Sequence, residues 1–200
     1  MELVLEWLQG SLDAALPLLS TDERERAARL RHPLHRQRFV LAHAFLRRTL
    51  GERLGRHPAK LMFDHGPAGK PLLDDLYFNL SHSGDLAAVA LSTRLPVGVD
   101  IEALQPIDAQ SLARVHFTPS EAALLADLTD PLPAFYRLWT RKEAVLKAHG
   151  LGIGHSLAEL PRARVRDFTP AAGYTGALAW VDNSPTLGPS RRLRATLRST

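Results

Sequence analysis

Polar and apolar residues alternate from Met1 to Trp7, with Leu3, Leu5 and Trp7 set against Glu2, Val4 and Glu6, and this two-residue period predicts a strand. Ser20-Thr21-Asp22 is a cap signal that opens a short charged helix ending near Pro33. From about Pro33 to Leu54 the period becomes helical. Leu34, Leu41, Ala42, Phe45, Leu46, Leu50 and Leu54 form the stripe, and Gly55 closes it. Leu61-Met62-Phe63 and Tyr77-Phe78-Asn79-Leu80 predict short strands. Leu86 to Leu91 is apolar throughout and predicts a central strand. In the next strand Val97, Val99 and Ile101 face one side and Gly98, Asp100 and Glu102 the other. After Pro106 the chain turns helical. Thr118-Pro119-Ser120-Glu121 is a capping box with Pro at the first helical position, and Leu124, Leu125 and Leu128 are the predicted buried side. Pro131 and Pro133 break that helix, and Phe135 to His149 predicts another, capped by Gly150. Strands over Gly173–Val181 and Leu193–Leu197 follow. Each half reads as strand, helices, then strands, an α/β (α+β) pattern.

Composition narrows the class. A hydrophobic content of 45% over 200 residues supports a sizeable core. No apolar run approaches the ~18 residues of a membrane span, and residues 1–8 lack the pattern of a signal peptide. The expectation is a cytoplasmic protein without membrane contact. With no cysteine there is no disulfide and no thiolate metal site. The net charge of +4 decides nothing, although 21 Arg against 4 Lys offers many phosphate-binding forks. Arg162, Arg164, Arg166, Arg191, Arg192, Arg194 and Arg198 make the tail basic. A nucleic-acid partner is not expected, because no aromatic ribonucleoprotein motif, zinc ligand set or basic recognition helix is present.

Candidate chemistry sits on five stretches. Phe135, Trp139, Glu143 and Lys147 are four residues apart and line up along one helix stripe. The plain reading is a Glu143–Lys147 surface pair; the pair also extends a buried aromatic line. Asp100 and Glu102 share a strand face, roughly 7 Å apart at the backbone, and can converge on one hard cation, with Gly98 leaving room beside them. The plain reading there is a solvated strand face. Ser81-His82-Ser83 puts hydroxyls and an imidazole at a sheet edge, without the elbow pattern of a catalytic serine. Gly69-Lys70-Pro71 is a turn that could hold an anion, although the P-loop pattern is absent. Arg38 interrupts its helix stripe between Leu34 and Ala42, either as a snorkelling border residue or as an anion ligand.

In order, Gly69-Lys70-Pro71, Phe78-Asn79-Leu80-Ser81-His82-Ser83, Gly98-Val99-Asp100-Ile101-Glu102, Phe117 with Glu121, and Leu138-Trp139-Thr140-Arg141-Lys142-Glu143-Ala144-Val145-Leu146-Lys147 resemble the 4′-phosphopantetheinyl transferases of the surfactin-synthetase-activating type. The resemblance runs from about Arg36 to Gly152. It implies two similar α/β halves forming an intramolecular pseudo-dimer, here 1–96 for coenzyme A phosphate contacts and 97–200 for the metal-binding strand and catalytic helix. It implies transfer of 4′-phosphopantetheine from coenzyme A to a serine of an apo acyl- or peptidyl-carrier protein, by a monomer. Asp100, Glu102 and Glu143 would bind Mg²⁺, with Mn²⁺ as an alternative. Glu143 and Lys147 would be catalytic, and Arg38, Lys70, Ser81, His82 and Lys147 would hold coenzyme A. Arg47 matches less well, and Arg26, Arg29 and Arg31 are open candidates for the 3′-phosphate. The alternative is a non-catalytic coenzyme A or nucleotide-phosphate binding protein of the same fold.

Overall fold

The computed structural model describes residues 1–152, 155–182 and 194–198. Two sheets lie face to face. The first contains β1 (Glu2–Trp7), β4 (Tyr77–Ser83), β5 (Leu86–Ser92) and β9 (Arg194–Arg198) in the order β4-β5-β1-β9. The second contains β6 (Val97–Ala103), β7 (Arg164–Phe168) and β8 (Tyr174–Trp180) in the order β6-β8-β7. A small hairpin, β2 (Asp64–His65) with β3 (Pro71–Leu72), stands apart. The helices are α1 (Leu12–Ala15), α2 (Thr21–Arg29), α3 (Pro33–Leu54), α4 (Ala109–His116), α5 (Pro119–Ala126) and α6 (Leu132–His149). The architecture is mixed α/β, as the pattern predicts.

The layers follow from which faces are apolar. β5 is buried along its whole length, as the unbroken run Leu86–Leu91 predicts. Its Ala87, Val89 and Leu91 pack under α3, against Phe45, Leu46 and Leu50. Its Leu86, Ala88 and Ala90 meet Val97, Val99 and Ile101 of β6 across the sheet–sheet interface. Ala144, Val145 and Ala148 of α6 cover Ala177 and Ala179 of β8 on the far face. The stack is therefore helix, sheet, sheet, helix. β1 is buried on both faces rather than alternating with solvent: Val4 is in the core, and buried Glu6 is ion-paired with Arg48. The final strand pairs in parallel with β1, so the end of the chain returns to the first sheet.

Several local expectations need correction. Leu61-Met62-Phe63 is not a strand; a 3-10 turn over Pro58–Lys60 precedes it, and Met62 is exposed. β4 extends through Ser83, so the turn begins only at Gly84. Of the three leucines assigned to the buried side of α5, Leu125 is buried while Leu124 is exposed on the helix and Leu128 is exposed beyond its end, because the helix stops at Ala126. Leu34 is likewise exposed at the open start of α3. The last strand begins at Arg194; Leu193 lies outside the described residues, as do Ile153, Gly154, Arg191 and Arg192.

Gly98 is explained by helix contact. A Cβ there would lie 2.1 Å from the Ala144 carbonyl oxygen and 2.3 Å from the Ala148 amide nitrogen. It leaves no room for a cation; it lets α6 lie directly on β6. Both neighbours are backbone and cannot step aside. Gly98→Ala should therefore cost about 2 kcal/mol or more, read as a lower urea midpoint with an unchanged slope. A midpoint equal to that of the parent protein would show that α6 rides higher on the strand.

Candidate active site

A cleft of about 750 Å³ opens where α6 passes beyond β6, and Asp100, Glu102, Glu143, Lys147, Ser81 and His82 all line it. The helix stripe and the strand face predicted separately thus meet on one wall. Phe135 anchors the stripe in the core, stacked on Phe117 with centroids 5.2 Å apart, and Trp139 stacks on Phe135 at 5.7 Å. Trp139 itself reaches the cleft. The next two turns bring Glu143 and Lys147 to the same opening.

β6 is an edge strand with its open side buried against β4. Its outward amides are satisfied by side chains. Val99 N donates to Asn79 Oδ1 (2.8 Å), Ile101 N to Ser81 Oγ (3.2 Å) and Ala103 N to Ser83 Oγ (3.1 Å). The two serines donate in turn to the carboxylates, Ser81 to Asp100 Oδ1 (3.0 Å) and Ser83 to Glu102 Oε2 (2.6 Å). Asp100 is buried, so its strand face is not solvated. Lys147 Nζ donates to Asp100 Oδ1 at 2.6 Å and lies 3.4 Å from Ser81 Oγ. Its ion pair is thus with Asp100 across the interface, not with Glu143 along the helix. Asp100 Oδ2 is buried and makes no hydrogen bond.

Burial sets the protonation behaviour. It raises the pKa of Asp100, against the opposing pull of Lys147 and the Ser81 hydrogen bond. Burial pushes Glu102 up to about 6, opposed by the Ser83 bond and assisted by the Asp100 charge. Glu143 is also raised by burial, with Lys147 opposing, and its carboxylate makes no hydrogen bond among the described residues. Among those residues no three His, Cys, Asp or Glu side chains close up enough to hold a metal ion by themselves.

The remaining predicted ligands divide. Lys70 does not line the cleft. Its ammonium donates to the carbonyls of Val97 (2.9 Å) and Lys147 (2.6 Å), bracing the hairpin against β6 and the end of α6, and burial lowers its pKa to about 8. The Gly69 turn is closed by its own bonds, Gly66 N to Lys70 O and Gly69 N to Gly66 O, so these amides are not free for an anion. Arg38 is also outside the lining, and its guanidinium binds Asp85 at 2.8 Å. Arg47 is 1% exposed, held by Glu23 and the carbonyls of Pro58 and Leu61. Of Arg26, Arg29 and Arg31, Arg26 lines the cleft, 5.6 Å over the Phe39 ring.

Sequence reasoning left Arg26 open among three arginines, and it missed His43, which lines the cleft and stacks on Phe39 at 3.8 Å. It also missed the buried Lys142, which binds Glu121 at 2.9 Å and the Leu157 carbonyl at 2.8 Å and so ties the capping box of α5 to α6. The signal for the β4–β6 junction was present: Asn79, Ser81 and Ser83 recur every second residue on β4.

His82 is exposed near the end of β4, and desolvation among its neighbours, followed by the charges of His43, Lys147 and Arg38, lowers its pKa to about 4. It is neutral near pH 7. Its folded value lies below the ordinary 6.5, so its contribution to stability is complete above that pH and is lost as pH falls toward about 4. Glu102 acts with the opposite sign, so the test is a comparison. His82→Asn should flatten the fall in melting temperature across that window relative to the parent protein. An identical decline in both would place the effect elsewhere.

The family model of the 4′-phosphopantetheinyl transferase superfamily matches residues 96–183. The chain is 42% identical over 158 residues to the 4′-phosphopantetheinyl transferase HetI of Nostoc sp., covering 74% of this chain and 67% of that protein. It is 30% identical over 142 residues to the 4′-phosphopantetheinyl transferase Sfp of Bacillus subtilis, covering 69% and 63%. A shorter match, 46% identical over 92 residues, is to the 4′-phosphopantetheinyl transferase AcpT of Salmonella typhi, covering 43% and 48%. The matches to HetI and Sfp thus span about two thirds of those relatives' own lengths.

Proposed function

We propose that this chain, which belongs to the 4′-phosphopantetheinyl transferase superfamily, moves 4′-phosphopantetheine from coenzyme A to a serine of an apo acyl- or peptidyl-carrier protein. The observation that carries the reading is the meeting of Asp100, Glu102, Glu143 and Lys147 on one cleft wall. A non-catalytic coenzyme A binder is not favoured, because it has no use for a carboxylate as unencumbered as Glu143. The cleft is lined from both halves of a single chain, which supports a monomer; no described helix is long and apolar enough to cross a membrane. In this reading the enzyme is cytoplasmic. Residues 1–96 supply the coenzyme A side and 97–200 the carboxylates, with β9 as the strand that returns.

The donor set suits Mg²⁺, or Mn²⁺ in its place. Asp100 offers a buried oxygen with no hydrogen bond, and Glu102 and Glu143 stand near it on the same wall. Mg²⁺ takes few carboxylates and completes its shell with phosphate oxygens and water, so a site unable to close by itself is the expected kind. Bound there, it would neutralise charge on the pyrophosphate. Glu143, raised by burial and without a hydrogen-bond donor, would take the proton of the carrier serine, directly or through water. The serine oxygen then bonds to the phosphorus bearing pantetheine. The bond from that phosphorus to the bridging oxygen breaks, and its electron pair leaves on adenosine 3′,5′-bisphosphate. An ammonium has three N–H donors; Lys147 directs one at Asp100 and one toward Ser81, which leaves one for the leaving group. His82 and Arg26 are assigned to the phosphates of coenzyme A. Arg38 and Lys70, already engaged, act as braces in the free protein.

Incubation of apo carrier proteins with this chain, coenzyme A and Mg²⁺ should add one phosphopantetheine mass by mass spectrometry. Excess EDTA should abolish the gain and added Mg²⁺ restore it. No gain on a panel of acyl and peptidyl carriers would overturn the reading. Arg26→Ala should weaken coenzyme A by roughly ten- to a hundredfold, the worth of one charge-assisted hydrogen bond, and weaken dephospho-coenzyme A much less. Equal losses for the two ligands in a binding titration would remove Arg26 from the 3′-phosphate.

A further inference from the structure

We propose that Ser83 is a positioning residue that fixes the Glu102 carboxylate for a divalent cation while closing the junction between the two sheets. The inference rests on the proposed metal-assisted centre. It adds to that centre a residue outside the coenzyme A and cation ligands assigned above.

A hydroxyl has one proton and two lone pairs. Ser83 Oγ accepts the Ala103 amide at 3.1 Å and donates to Glu102 Oε2 at 2.6 Å. The accepted bond comes from rigid backbone, so it fixes the oxygen and leaves the proton for the carboxylate. Glu102 carries a long, rotatable side chain at the edge of the cleft. With Oε2 held, Oε1 has no hydrogen-bond partner among the described residues. Ser81 repeats the arrangement two residues earlier, between Ile101 N and Asp100. Asn79 repeats only half of it: its Oδ1 accepts from Val99 N, and the residue before that amide is Gly98 rather than a carboxylate. Serines therefore stand where carboxylates need holding, and an amide stands where only the backbone does.

The experiment uses the full chain with Ser83→Ala, Ser83→Thr, Ser83→Cys and Asn79→Ala. Mn²⁺ binding is followed by electron paramagnetic resonance without coenzyme A, thermal melting alongside it, and Mg²⁺-dependent transfer last. Loss of a group that orients a metal ligand weakens metal binding by about ten- to a hundredfold, and Ser83→Ala should fall in that range. The half-saturating Mg²⁺ concentration for transfer should rise to match, with turnover recovering at saturating metal. Ser83→Thr should restore both, since it keeps the hydroxyl. Ser83→Cys keeps the volume with a weak donor and should lose affinity even if Ser83→Ala fails to fold. Asn79→Ala should lower the melting temperature more than the Mn²⁺ affinity. Parental Mn²⁺ affinity in Ser83→Ala or Ser83→Cys overturns the proposal. So does an equal loss in Asn79→Ala, because the effect would then travel through the seam. So does a parent protein that binds no Mn²⁺. If the parent binds Mn²⁺ through Ser83 yet modifies no carrier, the transferase reading fails and this one stands.

Discussion

A strand at the edge of a sheet cannot be buried with its outward N–H groups unpaired; each would cost about 1–3 kcal/mol. β6 faces that constraint on the side where it meets β4. A backbone ladder would merge the sheets and place both strands in one plane. Side chains solve it differently: Asn79, Ser81 and Ser83 each take one amide, and the Val97 carbonyl is taken by Lys70. The two sheets can then stack through Leu86, Ala88, Ala90, Val97, Val99 and Ile101 while their edges stay joined. The cleft follows from this, since the outward face of β6 is turned toward α6 and partly away from the core.

The same junction explains how a carboxylate survives burial. Asp100 is 3% exposed, and an ionised group so placed needs compensation. Ser81 and Lys147 both act on Oδ1, one from the first sheet and one from α6. Desolvation still wins in direction, raising the pKa against both. Oδ2 is left with no partner in the same small volume. A buried acceptor without a donor is uncommon, and here it shares the cleft with Glu102 and Glu143.

Legibility in the sequence followed the range of the interactions. Periodicity located β1, α3, β5, β6 and α6, because each signal is contained in one element. Both α3 and α6 end on a left-handed glycine, Gly55 at φ 64° and Gly150 at φ 69°, as the pattern requires. The shared faces of Asp100 with Glu102 and of Glu143 with Lys147 were readable for the same reason. What was not readable depends on which element arrives opposite. Lys70 and Arg38 looked like free cations because their acceptors, the Lys147 carbonyl and Asp85, are 77 and 47 residues away. Lys147 looked like the partner of Glu143 because helix spacing favours it, and only the approach of β6 offered Asp100 instead. Leu124 and Leu128 looked buried because a continued helix would put them on one face with Leu125, but α5 stops at Ala126, so Leu128 lies past its end, and Leu124 is turned to solvent.

The geometry also explains why the chemistry gathers at one end of the β6–α6 contact. Gly98 brings the strand against the backbone of Ala144 and Ala148, leaving no space for any side chain. Two residues further along β6 the position holds Asp100, which is buried, and two further still Glu102, which is half-exposed. On α6 the stripe runs from fully buried Phe135 through Trp139 to the cleft at Glu143 and Lys147. Strand and helix are in contact at the glycine, and the cleft begins at the first carboxylate after it. A smaller residue at Asp100 would remove the ion pair that Lys147 makes across the interface, and a larger residue at Gly98 would lift Lys147 out of reach of Asp100. Close packing at one position and ionic chemistry two residues later are therefore one arrangement, and the hydroxyls of β4 hold the carboxylates in register with both.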